Sequence, residues 1–206
     1  MSRLCVITAK ASAYYALVNK LKQAGLSFSS VTPDAAWVGC DLVLTTSTEA
    51  FRFGDKVLSL EDLDENPGVF KGQVLAKLNG GRDAMLVGID PGKRIGLAVF
   101  YGGTKLAFST FHSVGTVSSR VVRFAEAIPR SGFSVRIGNG DKSTVESLVE
   151  ALRGALPTAV VEIVDESGTS TRTSKMKGLQ GDERAAAKIA FRRGRVIIDG
   201  RTRTRA

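Results

Sequence analysis

The sequence is poor in the residues that build most metal and nucleophile sites. It has one histidine, His112, and two cysteines, Cys5 and Cys40, with no CxxC spacing. A structural zinc site needs about four nitrogen or sulfur ligands, so a cysteine–histidine zinc site is not expected. Both cysteines adjoin strand-like segments, where we expect small, buried, free thiols.

Long apolar runs are also absent. No stretch approaches the roughly 20 apolar residues that a membrane-spanning helix needs. The first ten residues, MSRLCVITAK, contain one short apolar stretch and no cleavage-like site, so they do not read as a signal peptide. A cytoplasmic location without a membrane partner is therefore the default expectation.

Positive charge is concentrated at one end of the chain. Residues 171–206 carry 11 Lys/Arg and 3 Asp/Glu, a net charge of +8, within a total of +9 over 206 residues. Such a basic region favours a polyanionic partner, with nucleic acid first among them. The alternative is a basic end that only keeps the chain soluble.

Residues 1–80 are predicted to form a small parallel α/β domain. Its runs follow one another as strand 3–9, helix 12–25, strand 26–33, strand 40–47 and strand 56–63. No glycine-rich phosphate loop is present, so the role of this domain is not assigned beyond docking or scaffolding. The glycines of NGGRD, 79–83, indicate a linker after it.

Residues 84–200 are predicted to form a second α/β domain. Its elements read as βββαβαβα in a mixed five-stranded sheet, followed by a short strand at 195–199 and a basic tail at 201–206. The predicted runs are strands 84–90, 95–101 and 105–113, helix 115–129, strand 134–140, helix 141–156, strand 159–167 and helix 181–194. Asp141 or Ser143 is the expected cap of the helix at 141–156.

Acidic residues follow the strands of this second domain. Asp90 ends its first strand, Asp165 and Glu166 follow the run AVVEIV, and Asp182 and Glu183 open the last helix. Singly, each is typical of a cap or a turn. Gathered at one edge of the sheet they would repel one another unless cations neutralise them. The pattern predicts an oxygen-ligand site for Mg²⁺ or Mn²⁺, with two ions, a chemistry that requires neither histidine nor cysteine.

Three motifs of the second domain resemble one family. GIDPG at 88–92, IVDESGTS at 163–170 and GDERAAAKIAF at 181–191 occur in the order found in RNase H-like nucleases of the RuvC and YqgF type. IGNG at 137–140 is similar to the YqgF-like domain of the transcription accessory protein Tex. The resemblance covers about residues 84–200 and is closest to the YqgF branch.

The resemblance implies three metal-binding, catalytic carboxylates: Asp90, Glu166 and Asp182. Asp165 and Asp141 are second-rank ligands. In RuvC-type resolvases the second acid ends the fourth strand, so Asp141 remains an alternative to Glu166. Those resolvases also carry a second acid three residues along the last helix, where this chain has alanine.

The predicted function is hydrolysis of phosphodiester bonds in structured nucleic acid by a metal-dependent endonuclease. The RuvC side implies branched DNA of the Holliday-junction type, in recombination and DNA repair, cut by a two-fold dimer. The YqgF side implies RNA processing. A binding module of the same fold without cleavage is the alternative from another class. Five basic residues are expected to contact phosphate: Lys175, Lys177, Arg192, Arg193 and Arg195.

Overall fold

The computed structural model describes residues 3–36, 38–165 and 181–199. The chain divides into two compact units. The first comprises Met1–Arg82 with Ala127–Pro129, and the second comprises Asp83–Glu126 with Arg130–Ala206.

The first unit contains a parallel sheet of short strands. The sheet order is β2-β1-β3-β4, and each neighbouring pair is parallel, as the sequence predicts. Its described elements are β1 (Leu4–Val6), α1 (Ala11–Ala24), β2 (Ser29–Ser30), β3 (Leu42–Thr45), β4 (Val57–Ser59) and α2 (Pro67–Asn79).

Helix α2 was not predicted from the sequence. Asn66 caps it by accepting hydrogen bonds from the Gly68 and Val69 amides, and Pro67 stands at its start. This is an ordinary helix-start signal. Glycines at 68 and 72 weaken the helical pattern, but both are buried, which indicates that they serve close packing rather than a turn.

Cys5 and Cys40 form a disulfide, so the expectation of free thiols is wrong. The cause is the parallel register of β1 and β3, which pairs Cys5 with Val43 and brings Cys40 within a Cα–Cα distance of 5.9 Å. Closing a loop of 35 residues stabilises a fold by about 4 kcal/mol in the chain-entropy account.

No described helix has the length and apolar character that crossing a bilayer requires. Disulfides persist mainly in oxidising compartments, and in intracellular proteins chiefly of hyperthermophiles. The cytoplasmic location stays a prediction.

Glu49 joins the ends of β1 and β3. Its carboxylate accepts hydrogen bonds from Thr8 Oγ1 at 2.6 Å, Ala9 N at 2.8 Å, Thr46 Oγ1 at 2.7 Å and Thr45 Oγ1 at 3.2 Å. Burial by itself would raise the pKa of Glu49, but these hydrogen bonds outweigh it and lower the pKa to about 2. The ionised carboxylate therefore stabilises this end of the sheet.

Replacing Glu49 with glutamine should destabilise the protein at neutral pH. The lowered pKa contributes stability above the ordinary value of 4.5, and that contribution is lost as pH falls toward about 2. Thermal unfolding from pH 7 to pH 2 should therefore show the wild type and the variant converging below about 4.5. Glu150→Gln is the control, because Glu150 is exposed on the surface of the second unit. Parallel curves at every pH would contradict the assignment.

The second unit is an α/β unit with a mixed sheet. Its described elements are β5 (Ala84–Asp90), β6 (Ile95–Tyr101), β7 (Thr104–Phe111), α3 (Val114–Ala127), β8 (Gly132–Gly138), α4 (Lys142–Ala155), β9 (Val160–Val164), α5 (Gly181–Phe191) and β10 (Arg195–Asp199).

Six described strands form this sheet, in the order β10-β9-β8-β5-β6-β7, so the expected count of five is wrong. The sixth is β10, which pairs antiparallel with β9 and extends the edge of the sheet. The first three strands form an antiparallel meander, as predicted, while β8 and β9 run parallel to β5. The carboxyl ends of β5, β8 and β9 therefore share one edge.

Candidate functional site

Strand β5 directs Asp90 to one face of the sheet. Side chains alternate along a strand, so Gly88 and Asp90 share a face. The antiparallel register pairs Gly88 with Ala98 and Asp90 with Gly96, and paired residues point to the same side. Asp90 therefore lies on the face that carries Gly96 and Ala98.

Helix α5 covers this face at very short range. A Cβ added at Gly88 would lie 2.6 Å from the Ala190 amide nitrogen and 2.8 Å from Ala190 Cβ. A hydrophobic cluster seals the contact. Its members are Ala98, Phe100, Ala186, Ala187 and Ala190, with Leu86 and Phe108 packed against them. Only glycine and alanine fit at this contact, because the backbone of α5 packs directly against the strands.

Gly96 receives the first turn of the same helix. A Cβ added at Gly96 would overlap the Asp182 backbone and lie 3.2 Å from Asp182 Cβ. Gly96 is the cross-strand partner of Asp90, and such pairs have Cα atoms about 5 Å apart. The first turn of α5, which carries Asp182, therefore lies against the strand position that is paired with Asp90.

Asp182 has a charged partner but an incomplete set of hydrogen bonds. Arg94 Nη2 lies 2.9 Å from Asp182 Oδ2. That oxygen is buried and accepts no hydrogen bond from the described residues, so the guanidinium neutralises it without hydrogen-bond alignment. The Arg94 side chain is 61% exposed, against 27% for Asp182. The lone pairs of this oxygen are not used by any hydrogen bond from the described residues.

The loop after β8 contacts the GIDPG turn. The Asp141 amide donates to the Pro91 carbonyl at 3.4 Å, and a Cβ at Gly140 would lie 2.5 Å from the same oxygen. The Asp141 carboxylate caps α4, accepting from Thr144 N at 2.8 Å and Ser143 Oγ at 2.9 Å. These hydrogen bonds lower the pKa of Asp141, and the capping role matches the expectation.

The end of β9 joins the same edge. The backbone N–H of Asn139 donates to the Val164 carbonyl at 3.0 Å, and the side-chain Nδ2 of Asn139 donates to Asp165 Oδ1 at 3.0 Å. Arg192 Nη1 donates to the Asp165 carbonyl at 3.3 Å. The carboxyl ends of β5, β8 and β9 are therefore linked through direct contacts.

Part of the predicted site lies outside the described residues, namely Glu166, Lys175 and Lys177. Within the part of the chain that the structure describes, no group of three or more His, Cys, Asp or Glu side chains could hold a metal ion. Arg193 and Arg195 are exposed beyond α5, where they are open to solvent and to a polyanion.

A largely buried ion pair, which was not predicted from the sequence, anchors the far end of α5. Arg136 Nε lies 3.3 Å from Glu162 Oε2, and Arg136 Nη1 donates to the Ala190 carbonyl at 2.6 Å. Glu162 also accepts from the Gly194 amide at 2.7 Å. The sequence signal for this pair was one charged residue inside each of two otherwise apolar strands, Arg136 in β8 and Glu162 in β9. Such residues are rarely buried unless they are paired. The pair fixes the helix that carries Asp182.

No family model matches the chain, and no curated protein matches it. Among solved structures, the chain is similar to Marinitoga piezophila Argonaute in complex with 5′ OH guide RNA, with 11% identity and a TM-score of 0.27. The complex with guide RNA and target DNA gives 9% identity and a TM-score of 0.28. The alignments cover 80% and 81% of this chain but 39% of the Argonaute chain. Similarity this weak establishes neither a shared fold nor a shared activity.

Replacing Gly96 with alanine should destabilise the protein by about 2–3 kcal/mol, the usual cost of overpacking a tight contact. The added methyl group meets the Asp182 backbone, which cannot move without shifting α5. Urea denaturation measures the loss. The matched control is Gly154→Ala in α4, where a Cβ meets nothing within 4 Å and alanine should stabilise by up to about 1 kcal/mol. Equal stability of Gly96→Ala and wild type would show that α5 does not rest on this strand.

Proposed function

We propose that the second unit is an RNase H-like domain of the RuvC/YqgF type and hydrolyses phosphodiester bonds. Support comes from the element order, in which three antiparallel strands precede alternating helices and parallel strands. The proposed domain spans 84–200, with a basic tail at 201–206. The unit at 1–80 is proposed as an accessory domain without an assigned role.

One observation carries this proposal. Gly96 allows the first turn of α5, which carries Asp182, to reach the strand position paired with Asp90, at the carboxyl edge of a parallel pair of strands. Sheet edges of this kind are where ligands of α/β proteins bind. Neighbouring carboxylates repel each other unless cations neutralise them; Arg94 does this for Asp182, and a metal ion would do it for both acids.

The donor set fits Mg²⁺ or Mn²⁺, which prefer carboxylate oxygens. Asp90 and Asp182 would hold the metal, with Glu166 as the proposed third ligand and Asp165 as a neighbour. The buried Asp182 Oδ2, which accepts no hydrogen bond from the described residues, supports this fit. When bound, two such ions supply an activated water and stabilise the leaving oxygen of a phosphodiester.

The proposed substrate is structured nucleic acid, most directly branched DNA, and the alternative is structured RNA. The net charge of +8 over residues 171–206 supports a phosphate-rich partner. Arg192, Arg193 and Arg195 lie just beyond α5 and would contact the backbone, together with Lys175 and Lys177. A two-fold dimer remains a prediction of the RuvC resemblance.

The proposal predicts that Asp90→Asn abolishes Mg²⁺-dependent cleavage and leaves nucleic-acid binding intact. The substitution removes a ligand charge at the strand end without changing side-chain size. The assay uses a four-way junction, a flap, duplex DNA and a structured RNA, each with Mg²⁺ or Mn²⁺. Cleavage by the Asp90 variant at the wild-type rate would refute the assignment.

Two further variants decide the remaining ligand. Asp141→Asn keeps a good helix cap, because asparagine caps as well as aspartate, and should retain cleavage. Glu166→Gln should lose it. The reverse result would transfer the ligand role to Asp141.

A second candidate function is a binding module that does not cleave. The ion pair between Arg94 and Asp182 favours it, because an arginine already neutralises one of the proposed ligands. Heat denaturation with and without Mn²⁺ separates the two functions, since a module without a metal site should gain no stability from the ion.

A further inference from the structure

Arg94 is placed at the mouth of the proposed metal site. It lies in the short turn between β5 and β6, next to the strand end that carries Asp90. Its guanidinium is 2.9 Å from Asp182 Oδ2, the oxygen that is buried and accepts no hydrogen bond from the described residues. The arginine therefore holds one of the atoms that a divalent cation would bind.

The Arg94 guanidinium and a divalent ion cannot both bind Asp182 Oδ2 at contact distance. A guanidinium and a divalent ion repel each other at contact distance, so metal binding at Asp182 must displace Arg94. Displacement is cheap, because the Arg94 side chain is 61% exposed and exposed ion pairs contribute little. The half-buried aspartate stays in place while the arginine can return to solvent.

A displaced Arg94 remains beside the site, since its turn is fixed at both ends by strands of the sheet. Arginine is suited to phosphate because its planar fork can make two parallel hydrogen bonds. A phosphate group held by the metal would present its oxygens within reach of this side chain.

We propose that Arg94 is an exchangeable counter-cation: it neutralises Asp182 until a divalent ion binds, and then contacts the substrate phosphate. The inference rests on the proposed function, because it needs the metal site. It gives Arg94 a substrate-binding role that the three carboxylates do not supply.

The test is Mn²⁺ binding by titration calorimetry on the full chain, comparing wild type, Arg94→Ala and Lys93→Ala. Lys93 is the matched control, since it is an exposed lysine in the same turn with the same charge. Removing the competing guanidinium should tighten Mn²⁺ binding by up to about fivefold, the range that an exposed ion pair can set. Lys93→Ala should change the affinity less.

The second readout is the affinity for duplex DNA with and without Ca²⁺, an ion that binds oxygen ligands and has no redox chemistry. A gel checks that the DNA stays intact. Without the ion, Arg94→Ala should bind as well as wild type, because Arg94 is engaged with Asp182. With the ion, the variant should bind several-fold more weakly than both wild type and Lys93→Ala.

The outcomes separate this inference from the proposed function. Wild type that binds no Mn²⁺ would overturn the metal site, and the Arg94 exchange with it. Wild type that binds Mn²⁺ with the same affinity as Arg94→Ala would overturn the exchange and leave the metal site standing. If Arg94→Ala and Lys93→Ala changed the Mn²⁺ and DNA affinities equally, the effect would come only from the loss of one positive charge. That result would also overturn the exchange.

Discussion

The close approach of α5 to the sheet is the constraint on which the candidate site depends. Gly88 and Gly96 place no side chain between α5 and the strands, and α5 contributes small alanine side chains to the same contact. The Arg136–Glu162 pair secures the other end of the helix. With both ends held, the position of Asp182 beside Asp90 follows from the backbone and does not rely on flexible side chains.

The charge arrangement follows from that packing. Asp182 lies in the helix turn packed on the strand position paired with Asp90, and Arg94 neutralises its carboxylate. A protein arginine and a divalent ion are alternative solutions to the same electrostatic problem. The choice between them separates a nuclease from a passive binding module, which makes Arg94 as informative as the acids.

Features of the fold that depend on residues close together in the chain could be predicted from the sequence. The bounds of β5 and β6 and the Asp141 cap were readable because alternation, turns and caps are short-range features. The disulfide and the pairing of β10 depend on register between distant segments, which no local pattern carries. Arg94 was missed for the same reason, since its partner Asp182 is far along the chain.

The most direct test of the central claim is iron(II)-directed cleavage of the polypeptide. With added H₂O₂ as oxidant and ascorbate as reductant, Fe²⁺ bound in place of Mg²⁺ generates hydroxyl radicals that cut the backbone near the site, and the fragments are sized by mass spectrometry. The account predicts cuts close to residues 90 and 182, both suppressed by excess Mg²⁺ and lost in Asp182→Asn. Cuts confined to other parts of the chain, or none that Mg²⁺ suppresses, would contradict it.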